Sequence, residues 1–395
     1  MSSLDRVDKL ARYIFSYSFG VFWSIVCVGI PILIEKFIKR KEVFVKKDRS
    51  NYESRLYTEC SDFGQHKTLE VEGKSFHYFE SGDVSKPLIL FLHVLVFVAV
   101  STPSTSRYGV SFSGLGYGAG GSFKPREVHN YNANLLLADI REIIQKLTQN
   151  GRAECLAAAQ SWEWDQYQDH SGYIDRLIIL NGPHTGVVAL NVYSRFNDVF
   201  HYRNLKSLIS NPISTITNSW KSLQPCFDQA LKSFYVGIFM MPSPIGETWF
   251  SIKDFEIYEK ILKTLPSETM TEEDINLHKA VFCANDLACL TGGLNYYRSN
   301  AARGFFEDQK RRGIKQPGFI GIPTLVIWGD QDRYLNKDLC TLNLEKLVSN
   351  LKIVHIPEAQ HFVQEECPDK TNDIMRRFIT SQGNLHDLDE NKVID

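Results

Sequence analysis

Two polar residues near the carboxyl end of the chain each come shortly after an apolar run of the kind that forms a buried strand. Asp332 follows TLVIW (residues 324–328), and His361 follows the next such run, LKIVHI (351–356). A carboxylate beside an imidazole holds it in one tautomer and stabilises its charged form, so that the imidazole acts as a general base. We therefore expect Asp332 and His361 to lie within hydrogen-bonding distance and to form the acid–base pair of a hydrolytic site.

The elements around this pair alternate between strands and helices after a polar linker at about 48–66. Residues 69–81 read as a hairpin whose two halves are separated at EGK (72–74). The apolar runs that predict buried strands are LILFL (88–92), LIILN (177–181), TLVIW (324–328) and LKIVHI (351–356). Leucine and isoleucine residues between 136 and 147 recur at helical spacing, and helical periodicity without such strands continues from about 185 to 318. This pattern predicts an α/β fold, with a mostly parallel sheet that is flanked by helices and interrupted by a helical lid.

The amino-terminal part contains an uncharged stretch from Tyr13 to Ile34. A helix of this length reaches about 33 Å, which is enough to cross a hydrocarbon core of about 30 Å. A cleaved signal peptide and a buried core helix are the alternatives, but the apolar region of a signal peptide is shorter, at about 7–15 residues. The basic residues on its carboxyl flank are Lys36, Lys39, Arg40, Lys41, Lys46, Lys47 and Arg49. The positive-inside rule then predicts a single-pass anchor with the bulk of the protein on the cytoplasmic side.

The composition excludes several other classes of protein. Of the 395 residues, 43 % are hydrophobic and 23 % charged, which is typical of globular proteins and argues against wholesale disorder. The formal net charge of −2 gives no chain-wide electrostatic footprint for nucleic acid. The eight cysteines are scattered and include no C-x-x-C pair, so neither a zinc site nor a disulfide framework is predicted, and no cofactor is implied.

Taken with these elements, almost the whole chain resembles the epoxide-hydrolase branch of the α/β-hydrolases, in particular its membrane-anchored animal members. The segments that carry the resemblance are VFWSIV, GKSFHYFESG, KPLILFLH, GYGAGGSFKP, LNGPH, FSIKDFEIY, LNYYRSN, IPTLVIWGDQD and PEAQHFVQEECP. It implies hydrolysis of lipophilic, fatty-acid-type epoxides to diols without a cofactor, by a protein of the endoplasmic reticulum membrane. The implied domains are an anchor at 1–47, a hydrolase core at 67–184 and 319–382, a helical lid at 185–318 and a polar tail at 383–395.

In that family, two tyrosines of the lid donate hydrogen bonds to the epoxide oxygen and stabilise the alkoxide that develops there. The matching positions here are Tyr235, in KSFYVGIFMMP, and Tyr297, in LNYYR. Because a buried tyrosine is also commonly a simple packing residue, it is the resemblance that gives these two side chains a predicted role.

Two motifs depart from the family pattern. The family has a His-Gly-x-Pro turn whose backbone N–H groups form the oxyanion hole, whereas His93 is followed here by VLV (94–96). The family's nucleophile is the Asp of a His-Asp-Trp-Gly-Gly elbow, and the aligned residues are QSWE (160–163). Trp162 matches, Ser161 takes the nucleophile position, and Glu163 stands where the tight turn needs a small residue. The oxyanion-hole region accordingly consists of His93, Val94 and Trp162.

The serine changes the chemistry that this site supports. An Asp that attacks an epoxide carbon forms an ester, which activated water hydrolyses, whereas a Ser forms an ether, which water does not cleave under these conditions. Ser161, Asp332 and His361 do have the chain order of a serine hydrolase, and Asp165 is a second candidate nucleophile with large neighbours two positions away. Three functions therefore stay open: an epoxide hydrolase, a serine esterase that uses Ser161, and a catalytically inactive, membrane-anchored binding protein.

The departures are confined to two segments, about 94–113 and 157–172, while the surrounding sequence matches the family. Either the chain is a noncatalytic relative, or the written sequence misreads the exons of these two segments. Sequencing of the transcript across 90–175 distinguishes the two, because a Gly-x-Pro turn and a Gly-flanked Asp would emerge in the second case.

Overall fold

The computed structural model describes residues 22, 25–38, 42, 44–53, 64–92, 108–112, 123–158, 172–266, 268, 270–300 and 320–381. Its strands are β1 (Gln65–Val71), β2 (Lys74–Gly82), β3 (Leu88–Leu92), β4 (Tyr108–Phe112), β5 (Cys155–Ala158), β6 (Leu177–Leu180), β7 (Thr324–Gly329) and β8 (Leu351–Ile356). Its α-helices are α1 (Ile30–Leu33), α2 (Ser50–Glu53), α3 (Ala133–Leu147), α4 (Thr185–Phe200), α5 (Tyr202–Ser210), α6 (Pro212–Lys232), α7 (Phe234–Phe239), α8 (Ile245–Leu262), α9 (Glu272–Asn300), α10 (Lys337–Thr341), α11 (Val363–Glu366) and α12 (Pro368–Thr380).

Within the described residues, the strands form one sheet in the order β1-β2-β4-β3-β5-β6-β7-β8. The first two strands form the predicted hairpin, in which the turn residues Glu72 and Gly73 have φ angles of 47° and 75°. Strand β2 also pairs antiparallel with β4, and the other neighbours are parallel. The carboxyl ends of β3, β5, β6, β7 and β8 therefore meet at one edge of the sheet, as the sequence predicts for a mostly parallel sheet.

Two hydrophobic cores lie on the two faces of this sheet, and successive residues of a strand belong to different cores. Ile178 packs in the core that contains Phe378 of α12, whereas Ile179 packs in the core that contains Phe250 of the lid. Because both faces are covered, the central strands are continuous apolar runs rather than alternating ones.

The helices α4 to α9 lie between β6 and β7 in the described part of the chain and form the helical lid. Helix α8 is interrupted at residues 252–255, where Lys253, Asp254 and Phe255 have left-handed φ angles of 49°, 60° and 63°. Left-handed backbone costs roughly 1–2 kcal/mol per non-glycine residue, so this turn needs support from outside the helix. The predicted lid boundary at 318 lies outside the described residues, and the domain boundaries stay predictions.

The amino-terminal described residues are helical. Turns of π-helix at Ile25–Gly29 and Ile34–Ile38 flank α1 without a break. In the described part of the chain, no helix is both long and apolar enough to cross a membrane. Most of the first half of the predicted anchor, residues 13–21, 23 and 24, lies outside the described part of the chain, and the anchor stays a prediction.

The segment after this helix, predicted as a basic flank and polar linker, is fixed to the lid by a buried ion pair. The Arg49 guanidinium donates hydrogen bonds of 2.7 and 2.6 Å to the two carboxylate oxygens of Asp254, and Arg49 is only 5 % exposed. The backbone N–H of Lys47 donates to the same carboxylate at 3.0 Å, and the Lys279 ammonium lies 3.7 Å from it. We call the set of Arg49, Asp254 and Lys279 the Arg49 clamp.

The Arg49 clamp holds the left-handed turn of α8 in place. Burial disfavours the charged form of Asp254, but the hydrogen bonds from Arg49 and from the backbone of Lys47 outweigh it and hold the pKa of this carboxyl below its usual range. Arg49, counted above among the basic residues that flank the predicted anchor, is therefore buried and serves as a structural residue.

Candidate active site

Asp332 lies just beyond the end of β7 and is almost completely buried. Its Oδ1 atom accepts hydrogen bonds from the backbone N–H groups of Tyr334 and Leu335, at 2.7 and 2.9 Å. Its Oδ2 atom accepts one from the side-chain amide of Asn181 at 2.8 Å and lies 2.8 Å from Nδ1 of His361. Burial disfavours the carboxylate, but these donors and the positive charge that His361 carries when it is protonated outweigh it and hold the pKa of Asp332 below its usual range.

His361 lies beyond the end of β8, and its contact with Asp332 matches the distance expected from the sequence. Because an ionised carboxylate only accepts hydrogen bonds, the proton of the imidazole sits on Nδ1, and Nε2 is left to act as a base. Glu366 fixes the loop around the histidine, since its carboxylate accepts hydrogen bonds from the backbone N–H groups of Gln360 and Phe362. Asp332 thus orients the imidazole directly, and Glu366 fixes the backbone on either side of His361.

Asn181, directly after β6, joins the ends of the neighbouring strands and was not singled out by the sequence analysis. Besides its bond to Asp332, it donates to the carbonyl of Gln360 at 3.2 Å and accepts from the N–H of Gly329 at 2.8 Å. Its φ angle of 43° is left-handed, a conformation that Asn tolerates better than most residues. A Cβ atom at Gly329 would lie 2.7 Å from the carbonyl oxygen of Ala359, so β7 approaches this loop closely only with glycine there.

A chain of aromatic contacts connects His361 to the two predicted lid tyrosines. The ring of Tyr334 lies 5.1 Å from that of His361 and 5.8 Å from that of Tyr235, measured between ring centres. The ring of Phe239 in turn lies 5.3 Å from Tyr235 and 4.9 Å from Tyr297. Burial raises the pKa of Tyr297 to about 12 and that of Tyr235 well above its ordinary value. Both hydroxyls therefore keep their protons at neutral pH and are able to donate hydrogen bonds.

The end of α6 holds the lid against the loop that carries the acid. The Lys232 ammonium donates to the backbone carbonyl of Asp332 at 3.1 Å. The side chain of Gln229 donates to the carbonyl of Tyr334 at 3.0 Å and accepts from the N–H of Asn336 at 2.7 Å. Tyr334 stands two residues after Asp332 but is not predictable from the sequence, because no pattern distinguishes it from other loop tyrosines.

The remaining predicted site residues, His93, Val94, Ser161 and Trp162, lie outside the described residues. The structure does describe the ends of β3 and β5, the strands that come before these residues in the sequence. Strands β3 and β5 are parallel neighbours, with Leu92 paired to Ala158 at their carboxyl ends. These ends lie at the same edge of the sheet as the ends of β7 and β8.

The chain is similar to several epoxide hydrolases in sequence. It is 27 % identical to epoxide hydrolase 3 of Xenopus tropicalis over 345 residues, which cover 82 % of this chain and 81 % of the relative. It is 24 % identical to epoxide hydrolase 1 of Caenorhabditis elegans, over 94 % of this chain and 81 % of that protein. With human epoxide hydrolase 4 the identity is 23 %, over 96 % of this chain and 99 % of the relative. No family model matches the chain.

Solved structures with the same fold include several epoxide hydrolases. An inhibitor complex of the Bacillus megaterium enzyme has a TM-score of 0.58 and 20 % identity, and the match covers 80 % of this chain and all of that one. An epoxide hydrolase of Vigna radiata has a TM-score of 0.57 and 19 % identity, over 81 % of this chain and 99 % of that one. The sheet order and these neighbours together define an α/β-hydrolase fold. In sequence, the chain is similar to epoxide hydrolases over most of its length.

Proposed function

We propose that the site between the sheet edge and the lid takes a lipophilic, fatty-acid-type epoxide, and that the chain as written converts it to a diol slowly or not at all. The observation that carries the binding half of this proposal is the chain of contacts from the Asp332–His361 pair through Tyr334 to Tyr235. Phe239 continues these contacts to Tyr297, so the site combines a base, two hydroxyl donors and an aromatic lining, which suit an apolar substrate with one polar oxygen.

The proposed chemistry follows from the groups present. The hydroxyls of Tyr235 and Tyr297 donate hydrogen bonds to the epoxide oxygen, which gains negative charge as its bond to carbon breaks. In a hydrolase with a nucleophilic Asp, the ester formed on that carbon is then cleaved by water that His361 deprotonates through Nε2. With Ser161 in the nucleophile position, the first step forms an ether, and the second step has no acyl carbon to attack.

The full chain is therefore expected to bind a fatty-acid epoxide but to release little diol. Replacing both lid tyrosines, Tyr235→Phe with Tyr297→Phe, removes two donors worth about 1 kcal/mol each, so the dissociation constant is expected to rise roughly tenfold to thirtyfold. Equilibrium dialysis with mass-spectrometric detection of epoxide and diol measures both quantities. The matched control is Tyr173→Phe, since Tyr173 packs against Arg141 and takes no part in the site. Unchanged binding in the double variant would contradict the proposed position of the epoxide oxygen.

A serine esterase is the second candidate, because Asp332 and His361 are oriented as a serine hydrolase also requires. A fluorophosphonate probe is the direct test, since it labels an activated serine. Labelling that Ser161→Ala removes would favour the esterase, and absence of both labelling and diol formation would favour a binding protein without catalytic activity.

We also propose that the stretch from Tyr13 to Ile34 anchors the protein in the endoplasmic reticulum membrane, with the hydrolase part in the cytoplasm. Alkaline carbonate is expected to leave the full chain in the membrane pellet, because burial of a whole apolar helix far exceeds a peripheral contact. A chain without residues 1–40 is the matched control and is expected in the carbonate supernatant. Release of most of the full chain would contradict the anchor.

A further inference from the structure

An apolar surface on the outside of the lid has no part in the site described above. The exposed apolar side chains of α6 are Ile213, Ile216, Trp220, Phe227 and Leu231. At about 100° of rotation per residue, these five lie within about 60° of one another around the helix axis. They therefore form one continuous row, which we call the α6 stripe. No residue of α6 is buried. The apolar side of this helix faces outward, because its five stripe residues are exposed.

The neighbouring helices extend the α6 stripe at both ends. Ile209 of α5 and Ile213 of α6 stand on either side of the turn between these helices and are 87 % and 81 % exposed. Further along, Phe227 and Phe196 of α4 line the same cavity of about 350 Å³, which is mainly apolar. The exposed aromatic residues of α4 are Tyr193, Phe196 and Phe200. Contiguous apolar surface of this kind marks an interaction site rather than ordinary exposed residues.

The charged side chains around the amino-terminal part of the α6 stripe, from Ile209 to Trp220, are basic, whereas Asp228 near its other end is paired with Lys232 at 3.3 Å. Between Asp198 and Asp228 the sequence contains no acidic residue, and its lysines and arginine are Arg203, Lys206 and Lys221. Lys206 and Lys221 are exposed, and they flank the stretch with the most exposed isoleucines. Trp220 stands next to Lys221, and an aromatic ring beside a basic group is the usual pairing at a lipid headgroup layer.

We propose that the α6 stripe, with Ile209, lies in the interface of an anionic lipid bilayer. The isoleucines and Trp220 enter the boundary between headgroups and acyl chains, and the lysines contact the anionic headgroups. A second copy of the chain is a poorer partner for the part around Ile209 to Trp220, because it would bring lysines together and the stretch between Asp198 and Asp228 has no acidic residue to neutralise them. This surface involves no residue before 193, so the proposal is independent of the predicted anchor.

Lipid cross-linking tests this proposal on the full chain. The protein is bound to vesicles of phosphatidylcholine with about 30 mol % phosphatidylserine, containing a trace of a lipid with a diazirine in its acyl chain. After irradiation and trypsin digestion, lipid adducts are expected in the peptide 207–221, which lies between Lys206 and Lys221. They are expected to be at least about threefold more frequent than with phosphatidylcholine alone. The internal control is the peptide 338–346, whose Leu342 is also exposed.

A double variant at two exposed positions and a control variant at a third make the test specific. Ile209→Asn with Ile213→Asn is expected to remove the adducts from 207–221 and to leave the melting temperature unchanged, while Leu342→Asn leaves the adducts as they were. Absence of adducts in both kinds of vesicle, or their persistence in the double variant, would overturn the proposal. Equal labelling in the two kinds of vesicle would overturn the preference for anionic lipid. A cross-link between the 207–221 peptides of two copies in detergent would assign the surface to a dimer instead.

Discussion

Four substitutions made together, Val94→Gly, Val96→Pro, Ser161→Asp and Glu163→Gly, are expected to raise diol formation by at least about 10²–10³. The first two restore the turn whose backbone N–H groups form the oxyanion hole, and one such donor is typically worth that factor. The other two supply the carboxylate that forms a cleavable ester and the small residue that its tight turn needs. The measurement is the initial rate of diol formation from styrene oxide by the purified full chain.

Partial reversions separate these contributions. Ser161→Asp alone is expected to give little diol, because the sequence still has Glu163 where the turn needs a small residue and Val94 where the family has the glycine of the oxyanion turn. In the fourfold variant, His361→Gln is expected to return the rate to background, since no base then activates water. A fourfold variant that folds and binds epoxide but forms no diol would contradict the proposed nucleophile position. Fast turnover by the unmodified chain would also contradict it, and Asp165 would then be the residue to replace.

Removal of the Arg49 side chain is expected to be among the most destabilising single changes in this protein. Arg49→Leu leaves Asp254 buried without its main partner, and loss of one member of a buried pair costs about 3–5 kcal/mol. The free energy of unfolding in urea measures this loss. Arg152→Leu is the matched control, because Arg152 pairs with Asp175 at the surface and an exposed pair contributes about 0–1 kcal/mol.

Two further measurements establish that the ion pair itself is responsible. Arg49→Leu combined with Asp254→Asn is expected to recover part of the stability, since Asn keeps the left-handed backbone and carries no charge. The pKa of Asp254 is lower in the folded protein than in the unfolded chain. Its contribution is therefore complete above a pH of about 4 and is lost as the pH falls through the lowered pKa. An Arg49→Leu variant as stable as the original protein at neutral pH would contradict this account.

The Asp332–His361 pair was predictable, because each residue is marked by the apolar strand that precedes it in the sequence. Asp332 and His361 each follow an apolar run, and parallel strands bring such positions to one edge of a sheet. The lid tyrosines needed the family resemblance, since a tyrosine on an amphipathic helix has no local mark that separates a donor to a ligand from a packing residue. Asn181 and Arg49 were not predicted, because their roles depend on partners that are distant in the sequence and leave no local pattern.

Asn181 and Arg49 illustrate such dependence on distant partners. Asn181 contacts residues that are 148, 151 and 179 positions away, and nothing around LNGPH indicates them. Arg49 lies in a run of basic residues, so its neighbours favour a solvent-exposed role. Its pairing with Asp254 arises only when the lid folds back over the linker, which periodicity and charge counts do not reveal.

The Arg49 clamp also sets an order of events during synthesis. Arg49 and Asp254 are separated by 205 residues, and a ribosome that adds about 5–20 residues per second needs roughly 10–40 s to make that stretch. Through all of this time Asp254 has not been made, so the Arg49 guanidinium lacks the carboxylate that it pairs with in the folded protein. The linker is therefore among the first segments to emerge and among the last to reach its final contacts, so a nascent chain halted before residue 254 would leave its amino-terminal end undocked.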